Sequence, residues 1–409
     1  MSTELIRRGA FTLGALLVCL IGLYIPLPGV DAEAWKRIFD LQPGGLLGQA
    51  NALSGGGVSK LSILSLSITP YVSAAILVQL LAMVSRRLRA LGDDERGRAR
   101  LERYTLVAAM TLAGFQAYGI ATALERVGQI VSEPGVVFRL TTVLTLVAGT
   151  LFLVWLAGRI TARGIGNGIA LIIAAGIVNT LPHEIFGLFQ TSRQGIVAPG
   201  LVVKIVLIIA AITALVVVVE RSRRRIPVEF AERRVGTQIL PPQAAGITLK
   251  LNPAGLMPVY IVGVLVTIVF IVLSIAASFT DISGWMTPLN FALGAPVRLL
   301  GSAVLIALLT FVYTAFVCDP EQMAARLAAC GGGVPGIAPG EATAAYLDSA
   351  ITRTTAFGAV YLIIVMVLPE ALTTSIASPI DLGGTPILVL VCVVLDLAAE
   401  ARAYRAPGE

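Results

Sequence analysis

Ten apolar stretches run through this chain, and none of them contains a charged side chain. They cover residues 9–28, 66–85, 104–124, 140–158, 164–182, 205–219, 251–280, 299–318, 354–369 and 382–395. A helix needs about 20 mostly apolar residues to cross a bilayer, and most of the stretches have that length. The two shortest, 205–219 and 382–395, gain it by extending through Lys204, Glu220 and Asp396, whose charges can rest at the interface. Lipid offers a backbone no hydrogen-bond partners, so a spanning chain must be helical or a closed barrel. Runs of Leu, Ile, Val and Ala at helical length exclude the alternation of about ten residues that marks a barrel strand. The expected fold is an all-α integral membrane protein of ten transmembrane helices.

Composition supports one membrane domain over residues 1–409. The chain is 56% hydrophobic and 13% charged, a balance outside the range of soluble domains. The loops are short, which leaves no room for an appended soluble module. Residues 9–28 follow Arg7 and Arg8 but precede no small-residue cleavage site, so they read as a first span and not as a signal peptide.

Charge sets the orientation. If the N-terminus is cytoplasmic, the cytoplasmic segments hold Arg7, Arg8, seven cations in 86–103, Arg159, Arg163, seven in 221–250, Arg326, Arg353, Arg402 and Arg405. The opposite side keeps Lys36, Arg37, Lys60, Arg126, Arg139, Arg193, Lys204 and Arg298. The positive-inside bias therefore places both termini in the cytoplasm.

The absence of charge inside the spans also limits function. Ion-coupled transporters usually keep Asp, Glu, Arg or His at mid-membrane, where such groups are costly and functional. This chain moves its cargo without gripping it by charge. Enzyme chemistry is equally hard to place. The single histidine, His183, follows Pro182 in what reads as an exposed external loop. No Ser-His-Asp set, metal cluster or phosphate-binding loop is legible, and no cofactor is implied. Cys19, Cys318, Cys330 and Cys392 lack disulfide or metal spacing and read as small apolar packing residues, three of them in or at the edge of spans. Gly164-Ile165-Gly166-Asn167-Gly168 opens a membrane helix, where glycine permits close backbone approach.

Three loops stand out. Residues 41–65 are rich in glycine yet only mildly polar, and Val58 to Ser65 fits a short helix that enters the membrane without crossing it. Such irregular backbone is tolerated at depth only inside protein or a watery cavity; a loose external loop is the alternative. Residues 221–250 cluster Arg221, Arg223, Arg224, Arg225, Arg233 and Arg234, which can fix topology, touch anionic lipid or dock an RNA-rich or acidic partner. Residues 319–350 carry Asp319, Glu321, Glu341 and Asp348 against Arg326, and their Gly/Pro run 331–340 forbids helix. Pro70 near the start of span two and Pro253 and Pro258 near that of span seven fit two five-helix halves, 1–182 and 200–400, related as an inverted repeat.

Several ordered motifs resemble one family. Pro70-Tyr71-Val72-Ser73-Ala74-Ala75-Ile76-Leu77-Val78-Gln79 is similar to the second span of SecY proteins, and Arg163 to Ile169 to the start of their fifth. Leu251-Asn252-Pro253-Ala254-Gly255, Val334-Pro335-Gly336-Ile337-Ala338-Pro339-Gly340-Glu341 and Gly383-Gly384-Thr385 match in order further on. The resemblance covers nearly the whole chain.

It implies a protein-conducting channel and no catalysis. The pore would be closed by an apolar ring at Val72, Ile76, Ile169, Ile173, Tyr260 and Val389. A plug at 44–65 would include Gly44, Gly45, Gly55, Gly56, Gly57 and Ile63, and Gln79 and Gln116 would lie near a lateral gate. Loops 221–250 and 319–350, with Arg223, Arg224, Arg225, Arg233, Arg234, Ala338 and Glu341, would dock a SecA motor ATPase or the ribosome. SecE-like and SecG-like small subunits, unfolded secretory and membrane clients, and lipids complete the implied partners. Three positions depart from the family pattern: Ala338 stands for a usual Arg, Tyr260 for an aliphatic ring residue, and Ser67 for a Gly before the span-two proline. A solute transporter built on an inverted repeat is the competing class, and a specialised accessory translocase is a third reading.

Overall fold

The computed structural model describes residues 3–41, 54, 56–92, 94–127, 130–195, 198–230, 233–235, 238–240, 244–265, 294–376 and 384–403. Thr3–Gly22 (α1), Ala32–Leu41 (α2) and the one-turn Gly57–Lys60 (α3) lead to Thr69–Val84 (α4). Arg86–Leu91 (α5), Glu95–Val127 (α6), Val136–Arg163 (α7), Gly168–Arg193 (α8) and Pro199–Arg221 (α9) follow. Strands Arg223–Phe230 (β1), Arg233–Val235 (β2), Gln238–Leu240 (β3) and Ala244–Lys250 (β4) then precede a helix at 257–265 (α10). Gly294–Val317 (α11), Pro320–Ala329 (α12), Gly332–Gly333 (β5), Glu341–Ile376 (α13) and Gly384–Ala403 (α14) complete the order.

Eight of the described helices are long and apolar enough to cross a membrane, and α4 is a shorter apolar helix. Helix α10 opens the seventh apolar stretch, whose remainder lies outside the described residues. Each of the ten stretches thus contains a described helix. Large apolar side chains are exposed on all eight long helices, among them Leu13, Val107, Leu144, Phe186, Leu207, Leu308, Val360 and Val394. A bilayer covers such a surface at no cost; water does not.

Helix α8 corrects one expectation. It continues through Pro182 to Arg193, so His183 is exposed on a helix and not in a loop. One missing backbone donor does not stop a long helix whose other bonds are kept.

The described chain forms two compact units, Met1–Ile209 with Leu372–Glu409, and Ala210–Ala371. In the first, α6 packs on α4 and α7, α7 on α8 and α1, and α14 on α8. Ala109, Ala113, Ala117 and Ala121 form a buried stripe at four-residue spacing along α6, and small side chains there let neighbouring backbones approach. The start of α8 is built the same way. A Cβ on Gly168 would stand 2.0 Å from the Ala157 carbonyl oxygen, and one on Gly164 2.4 Å from Thr12 Oγ1. Asn167 caps α8 by accepting from the Ile169 amide at 3.0 Å, and Thr12 Oγ1 accepts from the Ile165 amide at 3.0 Å. The glycine-rich motif is therefore a packing joint.

The second unit holds an element that the sequence reading did not anticipate. Strands β4, β1 and β5 form one antiparallel sheet, so loops 221–250 and 319–350 are a single folded body. Ile226, Val228 and Leu249 from the sheet share an apolar core with Ala324 and Leu327 of α12 and with Leu347, Ala350 and Ile351 of α13. Asp319 caps α12 by accepting from the Glu321 and Gln322 amides, both at 3.1 Å. At its membrane-side root, buried Asn252 donates to Glu220 Oε1 at 3.2 Å and to the Gly255 carbonyl at 3.1 Å. Tyr361 donates to the same Glu220 oxygen at 3.5 Å. These bonds tie the end of α9 and the turn before α10 to α13.

Glycine packing in the first unit yields a direct test. A Cβ on Gly149 would stand 2.3 Å from the Ile63 carbonyl oxygen, whereas one on Gly158 of the same helix meets nothing within 4 Å. Gly149→Ala is expected to lower stability by about 1–3 kcal/mol through overpacking, and Gly158→Ala to leave it unchanged or raised. Thermal unfolding of the purified protein in detergent separates the two.

Candidate functional site

The described chain from Gly56 to Ile68, which leads into α4, is irregular past its first turn and largely buried. Short α3 is followed by consecutive turns over 61–68. Leu61, Ser62, Leu64, Ser65, Ser67 and Ile68 are all buried. The expected short helix at 58–65 is thus a single helical turn that gives way to turns. Gly44, Gly45 and Gly55 lie outside the described residues, whereas Gly56, Gly57 and Ile63 are placed.

Buried irregular backbone must find its partners in protein, and here it does. Leu27 donates its amide to the Leu61 carbonyl at 2.8 Å, and Ile63 donates to Ile25 at 3.0 Å. Pro26 and Ser62 face each other across this antiparallel bridge. Thr150 Oγ1 donates to the Ser67 carbonyl at 3.3 Å. Ser65 Oγ points to the carbonyls of Gly57 at 2.8 Å and Ser62 at 2.5 Å. Further along, Asp31 donates to Ile130 at 2.8 Å and Ser132 to Gly29 at 3.1 Å. Residues 25–31 therefore stitch the buried segment to the loop before α7.

Shape requires small or strained residues at defined points. Gly56 has φ +83 and Gly57 would drive a Cβ to 3.1 Å from the Ser65 Cα. Leu61 at φ 43 and Ser67 at φ 52 are left-handed without being glycine, a conformation that costs about 1 kcal/mol or more for a side-chain-bearing residue. Ser67 is the position where the family resemblance gives glycine, and the backbone still adopts the conformation that glycine serves.

Ring candidates divide between the units. Val72 and Ile76 share one face of α4, the first half-buried and the second buried. Ile169 and Ile173 repeat that pattern on α8, and Val389 is buried on α14, which packs on α8. Tyr260 is half-buried on α10 in the second unit. Gln79 is exposed on α4 and Gln116 half-buried on α6, two helices that pack together.

The loop body carries the remaining candidates. Arg223, Arg224 and Arg225 are exposed on β1, and Arg223 pairs in register with exposed Lys250. Arg233 and Arg234 lie on β2, which pairs with β3. Ala338 is exposed, with its carbonyl accepting from Thr343 Oγ1 at 2.9 Å, and exposed Glu341 begins α13. Among the described residues no group of three or more His, Cys, Asp or Glu could hold a metal ion. The sheet was within reach of the sequence: Ile226 and Val228 alternate with Arg225, Pro227 and Glu229, and Ile247 and Leu249 with Thr248 and Lys250, the period-two pattern of a strand.

A family model described as SecY matches residues 62–398. The chain belongs to the SecY family. It is 39% identical over 407 residues to the protein translocase subunit SecY of Escherichia coli strain K12, a match covering 98% of this chain and 91% of that one. Its fold is similar to a SecY structure described by its plug domain, which stabilises the closed state of that translocation channel and maintains a membrane seal (TM-score 0.64, 18% identity, 98% and 93% covered). It is also similar to Sec61 in the canine ribosome-channel complex from the endoplasmic reticulum (TM-score 0.59, 16% identity, 98% and 93% covered). The chain is thus a multi-pass membrane protein with the ten-helix fold of the SecY family, and a protein-conducting translocation channel. No relative favours the solute-transporter reading.

The strained residue invites a paired test. Ser67→Gly is expected to raise stability by up to about 1 kcal/mol by relieving the left-handed backbone. Gly56→Ala is expected to lower it by about 1–2 kcal/mol. Denaturation of the two variants side by side checks the opposite signs; equal losses contradict the assignment.

Proposed function

We propose that this channel is closed by an apolar ring together with a packed segment of its own chain. Val72, Ile76, Ile169, Ile173, Tyr260 and Val389 form the constriction of a chain built as two halves, 1–182 and 200–400. Such a ring blocks ions by dewetting and offers a passing chain no binding site, which suits clients of any sequence. Residues 44–65 seal one side of it. Gln79 and Gln116 line the lateral exit by which hydrophobic client segments reach lipid. The chain catalyses nothing itself; a SecA-like motor or the ribosome supplies the drive at the body built from loops 221–250 and 319–350, with SecE-like and SecG-like subunits alongside. Both termini face the cytoplasm from the bacterial inner membrane.

The observation that carries this reading is the buried, internally bonded segment 56–68, which makes sense as a built stopper and not as a connecting loop. The i,i+4 apolar pairs on α4 and α8 support the ring. The fold likeness to Sec61 in a ribosome complex supports the docking surface, as do the exposed arginines of β1.

Two experiments test the reading. Ile169→Asn with Ile173→Asn is expected to raise ion conductance of vesicles holding the idle channel, because polar side chains wet a constriction; unchanged conductance refutes the ring. Ala338→Arg is expected to increase motor-driven export severalfold if the loop docks the motor in the manner of the family. No gain, with another partner still bound, favours a specialised translocase.

A further inference from the structure

Three separate parts of the chain lie side by side at the buried segment. Residues 61–63 pair with 25–27 through main-chain bonds. Residues 29–31 pair in turn with 130–132. Val30 faces Val131 across an antiparallel bridge, Asp31 donates to the Ile130 carbonyl at 2.8 Å, and Ser132 donates to Gly29 at 3.1 Å. Leu61, Leu27 and Ile130, one from each part, meet in an apolar cluster with Leu124 of α6 and Phe138 of α7. The support of the segment therefore ends on the loop between α6 and α7, and the segment is no steadier than that loop.

One carboxylate ties the two ends of this loop together. Glu125, in the last turn of α6, accepts at Oε1 from the Gly135 amide at 2.9 Å. Its Oε2 accepts from Nε and Nη2 of Arg139 in the first turns of α7, each at 2.7 Å. Gly135 has φ +147, a backbone that favours glycine, and it presents that amide just before α7 begins. The Glu125 side chain is 10% exposed and that of Arg139 is 40% exposed. An isolated surface pair contributes little. This one is different, because the carboxylate is nearly buried and holds a guanidinium and a backbone amide at once. Such charge-assisted bonds are about twice as strong as neutral ones, and removing one partner strands the other.

We propose that Glu125 and Arg139 are positioning residues for the seal. Their clasp fixes residues 130–132, these fix 29–31, and through 25–27 the clasp steadies residues 61–68 in the idle channel. The proposal rests on the reading of residues 44–65 as a seal. The clasp lies two bridges away from the segment it steadies, and it acts by holding the idle state closed.

Thiol labelling and ion conductance, measured on the full channel with its partner subunits in vesicles, test this. Ser62→Cys is introduced with the four native cysteines replaced by serine. Cys labelling at position 62, slow because Ser62 is fully buried, is expected to rise about fivefold when Glu125→Gln is added, the change that a loss near 1 kcal/mol brings to a local opening. Idle conductance is expected to rise in the same proportion. Arg139→Gln is expected to act like Glu125→Gln, and Arg139→Lys, which keeps the charge, to act less. If Glu125→Gln gives too little protein, the two Arg139 variants carry the same test, because that side chain is the more exposed. Labelling at position 62 that stays at its original rate shows that the clasp serves its own loop alone, and overturns the proposal. Equal labelling in Arg139→Lys and Arg139→Gln also overturns it, since the charge then holds nothing. Labelling that rises with conductance unchanged supports the clasp and refutes the reading of the segment as a seal.

Discussion

Every feature of this protein depends on one constraint: backbone polar groups within a membrane must be satisfied by protein. Ten helices meet it locally. The segment 56–68 cannot, because past the single helical turn of α3 it is a run of turns, and it meets the constraint by bonding outward to Ile25, Leu27 and Thr150 and inward among Gly57, Ser62 and Ser65. Gly149 and Gly22 exist as bare backbone to let it in, with Cβ positions 2.3 Å from the Ile63 oxygen and 2.5 Å from Leu64 Cδ1. A channel can therefore carry a non-helical element among its spans without exposing it to lipid.

The charge-free spans and this element belong to one solution. A pore that handles unrelated polypeptides cannot hold a charged site in its path, since such a site would bind some clients and repel others. On the proposed reading, closure comes from apolar side chains and from a packed piece of the chain itself. Polar groups are moved to the margins instead. Glu220, Asn252 and Tyr361 join three elements at the root of the loop body, and the exposed cations of β1 decorate its surface.

The spans were legible because hydrophobicity at helical length has one physical meaning in this composition. The glycine motif at 164–168 was legible as a packing joint, and the structure shows the atoms that demand it. Three things were not. The sheet joining loops 221–250 and 319–350 escaped because the arginine cluster drew attention from the alternation of Ile226 and Val228, and because β5 lies about a hundred residues away in the chain. The extension of α8 past Pro182 escaped because proline was read as a stop. The left-handed backbone at Leu61 escaped because nothing in a leucine announces it. At Ser67 the family pattern of glycine pointed to the conformation, although this chain lacks the residue that best supplies it.

The central claim is that residues 61–68 are a fixed, internally satisfied part of the membrane domain and not a loop. Amide hydrogen exchange of the channel in lipid nanodiscs tests it directly. The account predicts that the amides of Leu61, Ile63, Ser65 and Ser67 exchange as slowly as those at the centre of α7. Exchange at the rate of an open surface loop would contradict it.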